Sequence, residues 1–263
     1  MLYEVSDGIA KITLNRPDQM NAWTGALSDE LQARLGEADR DDEVVVVVIT
    51  GAGKAFCAGA DLGDGESGFL PVSADDDGRP RLWPYQVRKP IIAAVNGHAV
   101  GVGITFSMLC DVRLVAEDAK IQYAMVRRGV VPELASHVIL PRVIGFSKAA
   151  ELMLTGRMLS GAEAAELGLA SRAVPADQVL TEAMSLAADM VRDASPVALA
   201  VSKQLLWQGV TAGVDEMLSR EGRVIGSIAR MPDAVEGVTA FFERRDAVWS
   251  GSVNESADDL LEC

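Results

Sequence analysis

Residues 44–49 form an unbroken apolar run of five valines and an isoleucine. A half-exposed strand would alternate polar and apolar residues. A strand buried on both faces does not, and such strands belong to parallel sheets covered by helices. The chain leaves this run through GAGKAFCAGADL at 51–62. Glycines there let the backbone come unusually close to a ligand. Ala58 and Ala60, on either side of Gly59, leave the local N–H groups open. Bare N–H groups at a strand end are what an oxyanion requires.

A strand followed by Gly-x-Gly suggests a dinucleotide fingerprint, but Phe56 stands where the third glycine belongs, and residues 62–68 show no amphipathic helix to receive a pyrophosphate. Lys54 is followed by Ala55 rather than Ser or Thr, which excludes a P-loop. The net charge of −14 makes nucleic acid and anionic membrane poor partners. Three cysteines and two histidines in 263 residues show no metal spacing, so no metal site is expected. Cys57 and Cys110 read as reduced core residues of a cytoplasmic protein. Residues 1–14 run into alternating strand-like sequence, so no signal peptide is expected, and no apolar stretch has the length of a membrane span.

A hairpin is expected from residues 2–5 and 9–14 around Ser6-Asp7-Gly8, and a helix carries Leu27, Leu31 and Leu35. Residues 63–89 read as a long, partly mobile loop that includes Trp83 and Tyr85. Residues 91–95 form a second buried strand, followed by NGHAVGVG at 96–103, a short apolar helix ending at Cys110, and a strand at 112–116. Strand, turn, helix, strand is a crossover unit repeated. Beyond about Ser147 the pattern is helical: 149–154, 162–167, 181–192, 196–208, 214–229 and 233–246. The expected division is a core at 1–195, a helical region at 196–250 and a disordered acidic tail at 251–263.

The two glycine-rich turns follow buried strands about forty residues apart. Each can offer one N–H to a single oxygen, and the second opens a helix whose dipole favours negative charge. With NRPDQMNA at 15–22, KPIIAAVNGHAVGVG at 89–103, CDVRLVAEDAKI at 110–121, LTGRMLSGAEAAELGLASRAVP at 154–175 and EGVTAFFERR at 236–245, the chain resembles the enoyl-CoA hydratase/isomerase (crotonase) family over about residues 1–248. The resemblance implies an α/β fold, a crotonase-like spiral of ββα units with a C-terminal helical trimerisation region, forming a trimer or a dimer of trimers. It implies an acyl-CoA thioester as substrate and no further cofactor. The thioester oxygen is expected between the N–H groups of Ala60 and Val102. Met20, Ala22, Ala58, Asp61 and Leu62 are expected at the adenine end of the CoA. Arg16 and Lys54 are expected near its phosphates, and Arg244 and Arg245 near the CoA of a neighbouring subunit.

Hydratases of this family use two glutamates. The corresponding positions here carry Thr105 and Met125. Thr105 can hold a water but takes no proton near neutral pH, and Met125 does neither. One acid remains, Glu133, directly after Pro132, where several isomerases of the family carry theirs. A single carboxylate suffices to remove a proton at C2 and return it at C4, which is Δ3-to-Δ2-enoyl-CoA isomerisation. Apolar Val131 and Leu134 should raise its pKa, and the N-terminus of a helix expected at 134–143 should lower it. Alternatives remain at this stage. The plain reading of Glu133 is a first-turn acid that favours the helix dipole. His137, one turn later, could pair with it to activate water in a hydratase or hydrolase. Loss of both glutamates could also mark a catalytically weak acyl-CoA-binding paralogue. Asp61 and Asp111 have capping roles as their plain reading, and His98 fills a turn.

Overall fold

The computed structural model describes residues 1–63 and 81–262. Most of the loop expected at 63–89 therefore lies outside the described residues, as does Cys263. Two sheets organise the described chain. In the larger, β1 (Leu2–Ser6) and β2 (Ile9–Leu14) form the expected antiparallel hairpin. Asp7 and Gly8 turn it, both at positive φ, as a tight two-residue hairpin turn demands. To β2 are added, all in parallel, β3 (Val46–Gly51), β5 (Ile91–Val95), β7 (Val112–Ala116) and β10 (Arg172–Val174). Every residue of β3 and β5 is buried. That is the physical meaning of the unbroken valine run: one face packs on helix α6 (Val179–Asp193), and the other has no water to meet either.

The second sheet escaped the sequence reading. It consists of β4 (Ala55–Cys57), β6 (His98–Val100) and β8 (Lys120–Gln122), parallel to one another, with β9 (Met158–Ser160) antiparallel to β8. β4 and β6 lie inside the segments that read as glycine-rich turns. Strands of three residues carry no legible periodicity and exist because a neighbour completes their ladder. Each turn of the chain thus contributes one strand to each sheet: β3 then β4, β5 then β6, β7 then β8. Helix α2 (Val102–Ser107) follows β6. This is the spiral of ββα units that the resemblance implies.

Helix α1 (Gly25–Arg40) starts where the Thr24 side chain accepts the Leu27 N–H, and it buries Leu27, Leu31 and Leu35. Helices α3 (Ser136–Ile144), α4 (Phe146–Thr155) and α5 (Gly161–Glu166) lead to α6. One hydrophobic core extends from Ile9 to Ala187. A second one joins α7 (Pro196–Gly209), α8 (Val214–Ile228) and the last helix, α10 (Val253–Glu262), with α9 (Pro232–Glu243) between them. The tail expected to be disordered is therefore a helix from Val253 onward. Its acidic composition hides the stripe Val253, Ala257, Leu260, which is buried against α7 and α8. Polar latches add to this: Asn254 donates to the Arg40 carbonyl (2.9 Å), and Arg88 donates to Asn254 Oδ1 (2.6 Å). Among the described residues, no helix is long and apolar enough to cross a membrane.

Candidate active site

Gly59 follows β4, and Gly101 follows β6. Both take positive φ, +104° and +57°. A Cβ built on Gly101 would lie 3.7 Å from Gly59 Cα, so the two turns touch. Closer still is Gly103, where a Cβ would fall 2.1 Å from the Cys57 carbonyl. Only glycine permits this packing of α2 against β4.

The residues after the two touching glycines are Ala60 and Val102. Ala60 bridges Trp23 in parallel: Trp23 N–H donates to Gly59 O (2.8 Å), and Asp61 N–H donates to Trp23 O (2.9 Å). In a parallel bridge the middle residue turns its own N–H the other way, so that of Ala60 faces away from Trp23. Val102 is the first residue of α2, where an N–H has no acceptor within its helix. Trp23 and Phe106 stack tilted, 5.2 Å between centroids, and brace α2 against the bridge. Neither aromatic was singled out from sequence.

Thr105 is fully buried, as is the whole of α2. Its hydroxyl donates to Glu133 Oε1 at 2.6 Å, with the carbonyls of Val102 (3.3 Å) and Gly101 (3.4 Å) also within reach. Glu133 lies outside α3, which begins at Ser136, after Leu134 and Ala135 in the left-handed region (φ +54° and +55°). Two successive non-glycine residues there are strained, and they turn the chain directly after Glu133. Two expectations change. Glu133 is not a first-turn helix acid. Nor do Glu133 and His137 share a helix face: His137 sits on α3 and is exposed.

Burial raises the Glu133 pKa, and the Thr105 hydroxyl bond, with Glu133's own backbone N–H, pulls the other way. The opposing influence is thus a hydroxyl rather than a helix dipole. Val131, expected to help desolvate the acid, is 72% exposed. Tyr123, Ala124 and Met125 are buried in the adjoining segment. Burial also raises the Tyr123 pKa, helped by the Glu133 charge, and the Tyr123 hydroxyl has no bonding partner among the described residues.

The segment 16–23 lies along 58–61. Ala58 N–H donates to Met20 O (3.1 Å). Arg16 donates to Ala22 O (2.6 Å) and to Asp61 Oδ2 (2.9 Å). Asp61 also accepts the Gly63 N–H, and Arg16 holds its pKa below the usual carboxylate value. Arg16, Ala22, Ala58 and Asp61 thus come together, and Arg16 and Asp61 satisfy each other. Met20 and Leu62 are each 40% exposed beside them, and Lys54 is exposed in the turn between β3 and β4. Arg245 is not free to roam: Glu236 and Glu243 hold it at 2.6–2.9 Å. Arg244 caps α9 at φ +57°.

Two asparagines that sequence reasoning passed over hold the loops in place. Asn21, fully buried, accepts the Arg16 N–H and donates to the carbonyls of Ala52 and Ala55 (2.9 and 2.7 Å). Asn96 accepts from Thr50 and the Gly51 N–H and donates to Gly53 O (3.1 Å). The signal available was their position, each inside a quoted motif. Asp111 has the expected structural role, accepting from the Ile91 N–H, Trp207 Nε1 and Lys203 Nζ.

The family model described as enoyl-CoA hydratase/isomerase matches residues 4–252. A probable mitochondrial enoyl-CoA hydratase of Dictyostelium discoideum is 35% identical over 242 residues, covering 92% of this chain and 87% of that one. The 2,3-dehydroadipyl-CoA hydratase of Escherichia coli K12 is 36% identical over 242 residues, covering 91% and 94%. The crystal structure of a probable enoyl-CoA hydratase/isomerase from Mycobacterium abscessus superposes with a TM-score of 0.89 at 37% identity, covering 95% and 98%.

Proposed function

The chain belongs to the enoyl-CoA hydratase/isomerase family, an acyl-CoA-processing enzyme of crotonase fold, and we propose that within it the chain is a Δ3-to-Δ2-enoyl-CoA isomerase with Glu133 as its acid/base. The observation that carries this reading is the Thr105–Glu133 pair: a single half-buried carboxylate, bonded by a hydroxyl that stands where the resemblance puts a hydratase glutamate. Ala60 and Val102 hold the thioester oxygen. Glu133 removes a proton from C2, the electron pair moves to that oxygen as a dienolate, and the same acid returns the proton at C4. A carboxylate raised in pKa by burial is a stronger base and, once protonated, still a competent acid.

The test is product identification from a Δ3-enoyl-CoA. Conversion to the Δ2 isomer is expected, with Glu133→Gln lowering kcat by about 10²–10⁴-fold. Equal turnover by wild type and variant sinks the proposal.

A second reading is enoyl-CoA hydration, with Thr105 and Glu133 positioning water. The names of the relatives favour it. Hydration of crotonyl-CoA outpacing isomerisation would establish it. We also infer self-association, as a trimer or dimer of trimers. α8 and α9 expose the large apolar side chains of Leu218, Ile225, Val238, Phe241 and Phe242, the kind of surface that a partner copy covers. Light scattering reads the mass directly, and a monomer at micromolar concentration refutes it.

A further inference from the structure

Thr105 has one hydroxyl proton and three acceptors around it. Glu133 Oε1 is nearest at 2.6 Å, and the Val102 and Gly101 carbonyls stand at 3.3 and 3.4 Å. Those carbonyls lie three and four residues back on the same helix, the usual targets of a helical threonine. Gly101 C=O and Val102 N–H are the two ends of one peptide unit. Whatever donates to the first polarises the second.

We propose that Thr105 is a positioning residue that couples the protonation state of Glu133 to the strength of the Val102 oxyanion donor. This rests on the enolate chemistry of the proposed function. While Glu133 is ionised, the Thr105 proton points at its carboxylate and holds it toward the substrate. When the C2–H bond breaks, the proton goes to Glu133 and the electron pair to the thioester oxygen. The C2 proton stays on the carboxyl oxygen that faces the substrate, and the neutral acid is a weaker acceptor for the Thr105 hydroxyl than the carboxylate was. The Thr105 hydroxyl turns and gives its hydrogen bond to the helix carbonyls of Val102 and Gly101, adding at Gly101 to the bonds from the Ile104 and Thr105 N–H groups. The Val102 N–H becomes a better donor during the lifetime of the enolate. Return of the proton to C4 restores the ionised carboxylate and swings the hydroxyl back. No proton is gained or lost by Thr105. A fixed donor such as an arginine would stabilise only the ionised state, whereas a rotating hydroxyl serves both.

The experiment reads the oxyanion hole without turnover. Acetoacetyl-CoA, whose enolate absorbs in the near ultraviolet, is titrated into Glu133→Met, which leaves Thr105 only the helix carbonyls as strong acceptors. Adding Thr105→Val to that background is expected to lower the bound enolate fraction about threefold. Adding Thr105→Ser instead should keep it. Equal enolate in all three variants overturns the proposal, because a hydroxyl acting on Glu133 alone has nothing to do in that background. Absence of the band in Glu133→Met itself also overturns it. Thermal melts of each variant show that the fold is intact. The isomerase reading stands or falls separately, on product identification with the wild type, so the two failures are distinguishable.

Discussion

Thr105 Oγ1 donates to Glu133 Oε1 across 2.6 Å, joining residues 28 positions apart in the chain. One hydrogen bond thereby connects the helix that opens with the Val102 N–H to the strained entry of α3 that carries the acid. The proposed base and the proposed oxyanion donor are thereby tied to each other. Geometry of this kind is what a proton shuttle needs, since misplacement by an ångström costs rate steeply.

The pH profile should report Glu133. A base must be ionised, so kcat/KM falls as pH drops through its pKa. Burial places that limb above the ordinary glutamate value. Thr105→Val removes a bond that lowers the pKa, so the limb moves to still higher pH while kcat drops about tenfold. A limb that stays put or moves down contradicts the assignment.

Stability should move the opposite way to activity. The folded-state pKa of Glu133 is raised, so its favourable contribution is fully present below the unfolded-state pKa and is lost as pH rises through the folded value. Near neutral pH the ionised acid is a cost. Glu133→Gln should therefore raise Tm by about 2 °C at neutral pH. The gain should shrink toward about pH 4, where glutamate is protonated in both states. Calorimetry across that range decides it, and a lowered Tm at neutral pH counts against it.

The touching glycines offer a sharper test of the proposed oxyanion hole. Gly59→Ala forces a side chain into φ +104° with its Cβ 3.1 Å from the Val100 carbonyl. Gly101→Ala meets only ordinary contact, 3.7 Å from Gly59 Cα, but keeps the strained φ of +57°. Each should cost about 1–2 kcal/mol of stability, Gly59→Ala the more. Both should lower kcat/KM by about 10²-fold as Ala60 or Val102 shifts. Steady-state kinetics beside urea melts separate the two effects.

The last helix should matter for stability. Leu260 is buried in the second core with Val253 and Ala257. Leu260→Ala is expected to cost about 2–3 kcal/mol. Removing 253–263 should lower Tm further, because Asn254 also bridges the Arg40 carbonyl and Arg88. A truncated chain melting like the full one would show that α10 packs only weakly.

The valine run alone established a buried parallel strand, because a strand wetted on either face cannot afford six apolar residues in succession. The two glycine-rich segments and their motifs pointed to the family, and the absence of acids at Thr105 and Met125 is what directs the proposed chemistry to Glu133. These are local facts, carried by residue type and spacing. Three things were decided only when the chain was assembled. β4 and β6 are strands because each supplies the other's hydrogen bonds, which no window of three residues can reveal. The acidic C-terminal stretch is ordered because α7 and α8 cover one stripe of it. Thr105, a residue that reads as a missing acid, gained its place through its distance to Glu133. Spacing along the chain fixes what neighbours on one helix share, whereas pairing across 28 residues depends on how the turns of the spiral stack.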